Sequence, residues 1–118
     1  MSDALDPQLK ARIETYIKDN DVMLFMKGNR HFPRCGFSAT VIEVLKRLGV
    51  EFATEDILQD PDLRAGIKTY TNWPTIPQLY IAGEFVGGCD IVRDMYQSGE
   101  LATLVEEKLG ITPPDTEG

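Results

Sequence analysis

Cysteine is scarce in this chain of 118 residues: there are two, Cys35 and Cys89, together with a single histidine, His31. Two cysteines so far apart in sequence do not make the disulfide scaffold of a small secreted domain. With one histidine they also fall short of a four-ligand structural zinc site unless a second chain or a small molecule supplies ligands. Basic residues are few as well, 12 Lys and Arg against 19 Asp and Glu, which leaves a net charge of −7. That balance argues against a phosphate backbone as the main partner, so no nucleic-acid role is expected. No apolar run approaches the roughly 20 residues of a membrane helix, and the most continuous one, residues 22–26, has the length of a strand. The first residues are acidic where a secretory signal is basic and then apolar, and they are not rich in arginine. A cytoplasmic protein is the expectation.

What the chain does have is the composition and punctuation of one compact domain, with 42% hydrophobic and 26% charged residues. Asp6-Pro7 supplies an N-cap and a proline where no donor is needed, and Leu9, Ile13, Tyr16 and Ile17 then repeat at helical spacing, predicting a helix to about Asp19. Residues 22–26 read as a strand buried on both faces, followed by a loop over 29–34. After Cys35 a second helix is expected through Val41, Val44, Leu45 and Leu48, closed by Gly49. Residues 51–56 are expected as a second strand, parallel to the first because a helix joins them.

Asp60-Pro61 repeats the cap-plus-proline start, for a third helix ending near Tyr70. Residues 78–81 and 84–86 about Ala82-Gly83 have the pattern of a hairpin. Asp90 is expected to cap a helix through Ile91, Met95 and Tyr96, and Leu101, Leu104, Val105 and Leu109 mark a last one after Ser98-Gly99. The order predicts an α/β fold with a central mixed four-stranded sheet flanked by helices. Residues 1–111 are read as its single domain and 112–118 as a disordered tail.

The strongest chemical signal is Cys35-Gly36-Phe37-Ser38, placed after a buried strand at the start of a helix. Orphan backbone N–H groups and the helix dipole favour a thiolate there, and Arg34 and the more distant Lys27 add positive charge. Such a thiolate suits nucleophilic attack or metal ligation; the plainer reading is a buried small hydrophobe. Ser38 stands where a dithiol motif has its second cysteine, so a disulfide within the motif is impossible and monothiol chemistry follows. Cys89 is either a resolving thiol or a loop cysteine with no redox role.

Trp73-Pro74-Thr75-Ile76-Pro77 precedes the hairpin. Pro77 is a candidate cis proline, exposing the backbone of Ile76 for pairing with an extended peptide; a rigid turn is the alternative. Gly87-Gly88-Cys89-Asp90 offers free N–H groups at a helix start, suited to a small carboxylate, while the Asp90 side chain suits an amine. Arg64 is a carboxylate clamp or one more surface charge, and His31 reads as a solvent-exposed loop residue.

Together these segments, with Met26-Lys27-Gly28 and Phe32-Pro33 ahead of the cysteine, resemble the monothiol glutaredoxins of the CGFS type, which have the thioredoxin fold. The resemblance covers about residues 9–109. It implies that glutathione binds as a cofactor, its glycine carboxylate held by Lys27 and Arg64, its backbone paired with Ile76 beside Pro77, its γ-glutamyl end at Cys89 and Asp90, and Phe37 packed beside it. In similar proteins two subunits and two glutathiones share one [2Fe–2S] cluster, with Cys35 as the protein's metal ligand, which implies a homodimer that carries clusters to apo iron–sulfur recipients. A shared cluster with a BolA-like partner is a further implied arrangement. The alternative is glutathione-dependent disulfide reduction or deglutathionylation, with Cys35 as the catalytic nucleophile.

Overall fold

The computed structural model describes residues 5–111; the expected disorder of 112–118 lies outside them. Helix α1, Pro7–Asp19, starts where the Asp6 carboxylate accepts from the Leu9 N–H at 3.3 Å, and it buries Ile13 and Ile17. An N-cap of this kind is worth about 1 kcal/mol. Strand β1, Val22–Met26, is buried at every position. Its side chains alternate between two cores: Val22, Leu24 and Met26 face one cluster, Met23 and Phe25 the other. This is why the run is continuously apolar rather than alternating.

Helix α2, Gly36–Leu48, covers the first core with Val41, Leu45 and Leu48 and closes at Gly49. Strand β2, Ala53–Asp56, pairs in parallel with β1 from Met23↔Ala53 to Met26↔Asp56. It is two residues shorter than the expected 51–56. Phe52 is taken up instead by Arg30, whose guanidinium lies 4.4 Å from the ring centroid and donates to the Phe52 carbonyl. A 3₁₀ turn, Ile57–Gln59, which the sequence pattern does not announce, leads to helix α3, Pro61–Thr71, capped by Asp60.

Strands β3, Gln78–Ile81, and β4, Glu84–Gly87, form the expected hairpin, with Ala82 and Gly83 both at positive φ in its turn. The sheet order is β2-β1-β3-β4, with β3 antiparallel to both neighbours. Helix α4, Cys89–Ser98, begins one residue before the expected cap: Gly88, in extended conformation, is the N-cap, and Asp90 lies inside the first turn with no capping role. The reason is backbone geometry, since the Gly88 carbonyl already accepts from the Val92 N–H at 3.0 Å. Helix α5, Glu100–Leu109, follows Gly99 and seals the first core with Leu101 and Val105. Among the described residues no helix is long and apolar enough to cross a membrane.

The result is a mixed four-stranded sheet with α1 and α3 on one face and α2, α4 and α5 on the other. The C-terminal ends of β1 and β2, the start of α2 and the residues ahead of β3 meet at one edge of this sandwich.

Candidate functional site

Cys35 is presented by a loop that closes on itself. At the end of β1 the Lys27 carbonyl accepts from Arg34 N–H at 2.8 Å, while Gly28 N–H donates to the Asp56 carboxylate at 2.9 Å. The Asn29 side-chain oxygen accepts from both His31 and Phe32 N–H groups, at 2.8 and 2.9 Å. Only glycine fits at position 28, where φ is +91° and a Cβ would lie 2.5 Å from the Phe32 carbonyl and 2.6 Å from the Arg34 nitrogen. His31 at the tip is exposed, as expected.

The loop delivers Cys35 as the N-cap of α2: half-buried, free, and with no side-chain capping hydrogen bond, so its sulfur is uncommitted. Gly36 beside it has open space and Phe37 is exposed. Ser38 differs in exposure. It is fully buried, and its hydroxyl oxygen accepts from the Lys27 N–H at 3.1 Å, tying α2 to the end of β1. A group at this fourth position is thus sealed from solvent.

A cavity of about 500 Å³ opens next to Phe37, within the usual range for small-molecule sites. Trp73, Pro74, Ile76, Pro77 and Ile91 make its floor and walls, and Lys27, Lys68 and Asp90 its charged ends. The Ile76–Pro77 bond is cis, as expected. Gln78, buried, staples this turn by donating from its side-chain amide to the Trp73 and Thr75 carbonyls at 3.1 and 3.3 Å, and Tyr80 in turn donates to the Gln78 side-chain oxygen. Among the described residues, Ile76 has neither its N–H nor its carbonyl in a backbone hydrogen bond outside the regular elements.

Of the expected binding residues, Lys27, Phe37, Ile76, Pro77, Cys89 and Asp90 all line this cavity. Cys35 is not itself a lining residue; it precedes by two positions Phe37, which is. Arg64 is exposed on α3 and is not a lining residue; Lys68, one helical turn further along the same helix, is. The i, i+4 spacing puts Arg64 and Lys68 on one face, a signal that was readable in the sequence for the face but not for which cation reaches the cavity. Gln78 and Trp73 were hidden for another reason, because their roles depend on contacts made after folding.

On the far wall, Gly88 packs so closely that a Cβ would lie 3.3 Å from both the Pro77 carbonyl and Trp73 Nε1. That indole nitrogen is buried with no hydrogen-bond partner among the described residues. Burial pushes the Cys89 thiol up, the Asp90 charge adds to the rise, and Arg93 and a hydrogen bond with Thr40 oppose it; the proximity of Cys35 raises it further. Cys89 therefore stays a protonated, poorly nucleophilic thiol at neutral pH. The Asp90 carboxylate is largely exposed and pairs with Arg93 of the same helix at 3.4 Å.

A second depression, of about 550 Å³ between α1 and α3, is lined by Asp6, Arg12, Asp62 and Thr69 among others and holds no thiol.

This arrangement of a cysteine at a helix start, a cis proline opposite and a Gly-Gly turn beside it has known counterparts. A family model described as Glutaredoxin matches residues 22–86. The chain belongs to the glutaredoxin family. It is 51% identical over 105 residues to the "uncharacterized monothiol glutaredoxin ycf64-like" of Synechocystis, covering 89% of this chain and 98% of that one. With the mitochondrial monothiol glutaredoxin-5 of Saccharomyces cerevisiae it shares 47% identity over 116 residues, covering 96% of this chain and 77% of the relative. Among solved structures, reduced apo GrxS14 of poplar is 48% identical, with a TM-score of 0.78 over 87% of this chain and 94% of that one. The mixed sheet with its five helices is the thioredoxin-like fold that the motifs imply, and the monothiol glutaredoxins are the relatives to which the chain is similar over nearly its whole length.

Proposed function

We propose that the chain binds glutathione in the cavity beside Cys35, and that two such chains share a [2Fe–2S] cluster as cargo, in iron–sulfur cluster assembly and transfer and in iron homeostasis. The observation that carries this reading is the match between the cavity and an extended peptide with charged ends. Lys27 and Lys68 make no ion pair among the described residues and suit the glycine carboxylate, with Arg64 a turn away. The unpaired backbone of Ile76 beside Pro77 suits strand-like pairing with the middle of the tripeptide. Backbone N–H groups of Cys89 and Asp90, at the start of α4, suit the γ-glutamyl carboxylate, and the Asp90 side chain suits the ammonium. Phe37 packs beside the ligand.

The thiols fit the cluster in the same way. A [2Fe–2S] cluster takes four thiolates, and each chain offers one, the uncommitted Cys35; Cys89 is buried and held protonated. Among the described residues no group of three or more His, Cys, Asp or Glu could hold a metal. In the arrangement proposed, as the resemblance implies, the remaining ligands are the Cys35 of a second chain and two glutathione thiolates. A ligand set that includes a dissociable tripeptide makes the cluster transferable, which suits cargo better than a permanent electron-transfer centre.

A second reading, thiol exchange with glutathione mixed disulfides, is favoured by a free, half-buried Cys35 whose side chain makes no capping hydrogen bond. Anaerobic reconstitution with iron and sulfide, with and without glutathione, separates the two. A coloured, glutathione-dependent dimer with two irons per pair of chains supports the cluster carrier. A colourless monomer that turns over glutathione mixed disulfides would replace it with the exchange enzyme. In parallel, Lys68→Ala should weaken glutathione binding by on the order of 1.5–3 kcal/mol in calorimetry, and Arg64→Ala by less because it is exposed; the reverse order would overturn the assignment of the clamp.

A further inference from the structure

Two of the most exposed large apolar side chains of the molecule flank Cys35. Phe32 is 72% exposed and Phe37 62% exposed, although burying a phenylalanine is favourable. Neither is carried on loose backbone. Phe32 exchanges backbone hydrogen bonds with Asn29 at 3.1 and 3.3 Å, and Phe37 lies in the first turn of α2. Phe37 reaches the cavity mouth, whereas Phe32 is not a lining residue.

Between them in the chain is Arg34, exposed, its backbone pinned to Lys27. The ion pairs among the described residues engage Arg12, Arg47, Arg93 and Lys108, and none engages Arg34. In a chain of net charge −7, residues 22–42 hold three cations, Lys27, Arg30 and Arg34, and no Asp or Glu, so the segment that carries the reactive sulfur is locally basic. The cavity's own lysines answer the charge of a small ligand inside it, so the rim outside needs a different partner.

We propose that Phe32, Arg34 and Phe37 form a docking surface for an acidic segment of a partner protein, one that bears an apolar side chain next to the disulfide sulfur that Cys35 attacks, the partner's other sulfur leaving as a thiol. Charge complementarity selects the acidic segment, and the two rings supply the apolar contact that an exposed aromatic pair otherwise forgoes. The proposal rests on the reading above only for the reactivity of Cys35, and needs neither glutathione nor the cluster.

The test uses short synthetic peptides with a central cysteine activated as a pyridyl disulfide and flanked by leucine, with either glutamates or lysines beyond. The Cys35 sulfur attacks the peptide sulfur, the bond to the pyridyl sulfur breaks, and thiopyridone leaves with a proton, so the disulfide is exchanged with no outside oxidant. Thiopyridone absorbance gives the rate, and mass mapping locates the adduct. At about 0.01 M salt the acidic peptide should react about tenfold faster or more than the basic one. That ratio should approach one at about 1 M salt, where the Debye length falls to about 3 Å.

Rates are normalised to dipyridyl disulfide, a small neutral probe of the thiol itself. Arg34→Glu should invert the preference, and Phe32→Ser should slow the acidic peptide several-fold while the small probe reacts as before. If the small probe does not modify Cys35 in the unaltered chain, the reading of Cys35 falls, and the proposal with it. If it does, and acidic and basic peptides react within a factor of two at low salt, the docking surface alone is refuted. It is refuted equally if Phe32→Ser leaves peptide rates unchanged and instead weakens self-association, which would make the patch a contact between copies.

Discussion

Cys35 and Cys89 occupy nearly the same local position, each beside a glycine at the start of a helix, yet the fold gives them opposite properties. Cys35 is the N-cap of α2, half-buried and next to the unpaired Arg34; Cys89 is the first residue of α4, buried and next to Asp90. Both stand where the free N–H groups of a helix start are nearby. At Cys89, desolvation and the neighbouring carboxylate push the thiol up. The lesson is that the dipole of a helix does not by itself make a reactive cysteine; exposure and the nearest charge decide.

Serine substitutions give the largest contrast. Cys35→Ser should abolish both cluster assembly and formation of a mixed disulfide with glutathione, since the other thiol, Cys89, is buried. Cys89→Ser should leave both largely intact. Iron content after anaerobic reconstitution and intact mass after exposure to oxidised glutathione read the two outcomes. Complete loss of the cluster in the Cys89 variant would mean that the buried thiol is a ligand, and the contrast drawn between them would be wrong.

The glycines that shape the two approaches should differ in the same direction but by less. Gly28, behind the Cys35 loop, has φ of +91° and backbone atoms 2.5 and 2.6 Å from where a Cβ would stand. Gly28→Ala should therefore cost about 2–4 kcal/mol, by strain that backbone cannot yield. Gly88, ahead of Cys89, has ordinary extended φ and its nearest neighbours at 3.3 Å, so Gly88→Ala should cost about 1 kcal/mol. Urea denaturation of both variants measures the difference. Equal costs would show that the Cys35 loop adjusts more freely than its hydrogen bonds suggest.

Much of this arrangement is legible before folding, and the parts that are not share a cause. Asp6-Pro7 and Asp60-Pro61 announce α1 and α3 because cap and proline act within a few residues, and the unbroken apolar run of β1 announces a strand with a core on each side. The segments around Cys35, Pro77 and Cys89 are equally readable as motifs. What escapes is the use of side chains across long sequence separations. Ser38 reads as a missing second cysteine, but its hydroxyl binds the Lys27 backbone eleven residues earlier. Gln78 reads as an ordinary strand residue, but it holds the Trp73–Thr75 turn in place. Lys68 and Arg64 share a helix face, and only the packing of α3 against the sheet decides which lines the cavity. Asp90 carries the right chemistry for a cap, yet the extended Gly88 takes that place and α4 already begins at Cys89.

The smallest effect concerns pH. Burial raises the Cys89 thiol in the folded chain, while in the unfolded chain it titrates near its ordinary value of about 8.5. Below that value both states hold the proton and no stability is at stake. As pH rises past it, the unfolded chain releases the proton first, so the contribution is progressively lost until the folded thiol also ionises. Tyr80, raised more strongly by burial, acts in the same sense from about pH 10 upward. Urea unfolding across this range should show stability declining as pH increases, with the decline between about pH 8.5 and 10 shallower in Cys89→Ser and the tyrosine part above about pH 10 unchanged. If Cys89→Ser leaves the slope in that window unchanged, folding does not desolvate the Cys89 thiol, and the contrast between the two cysteines loses its buried member.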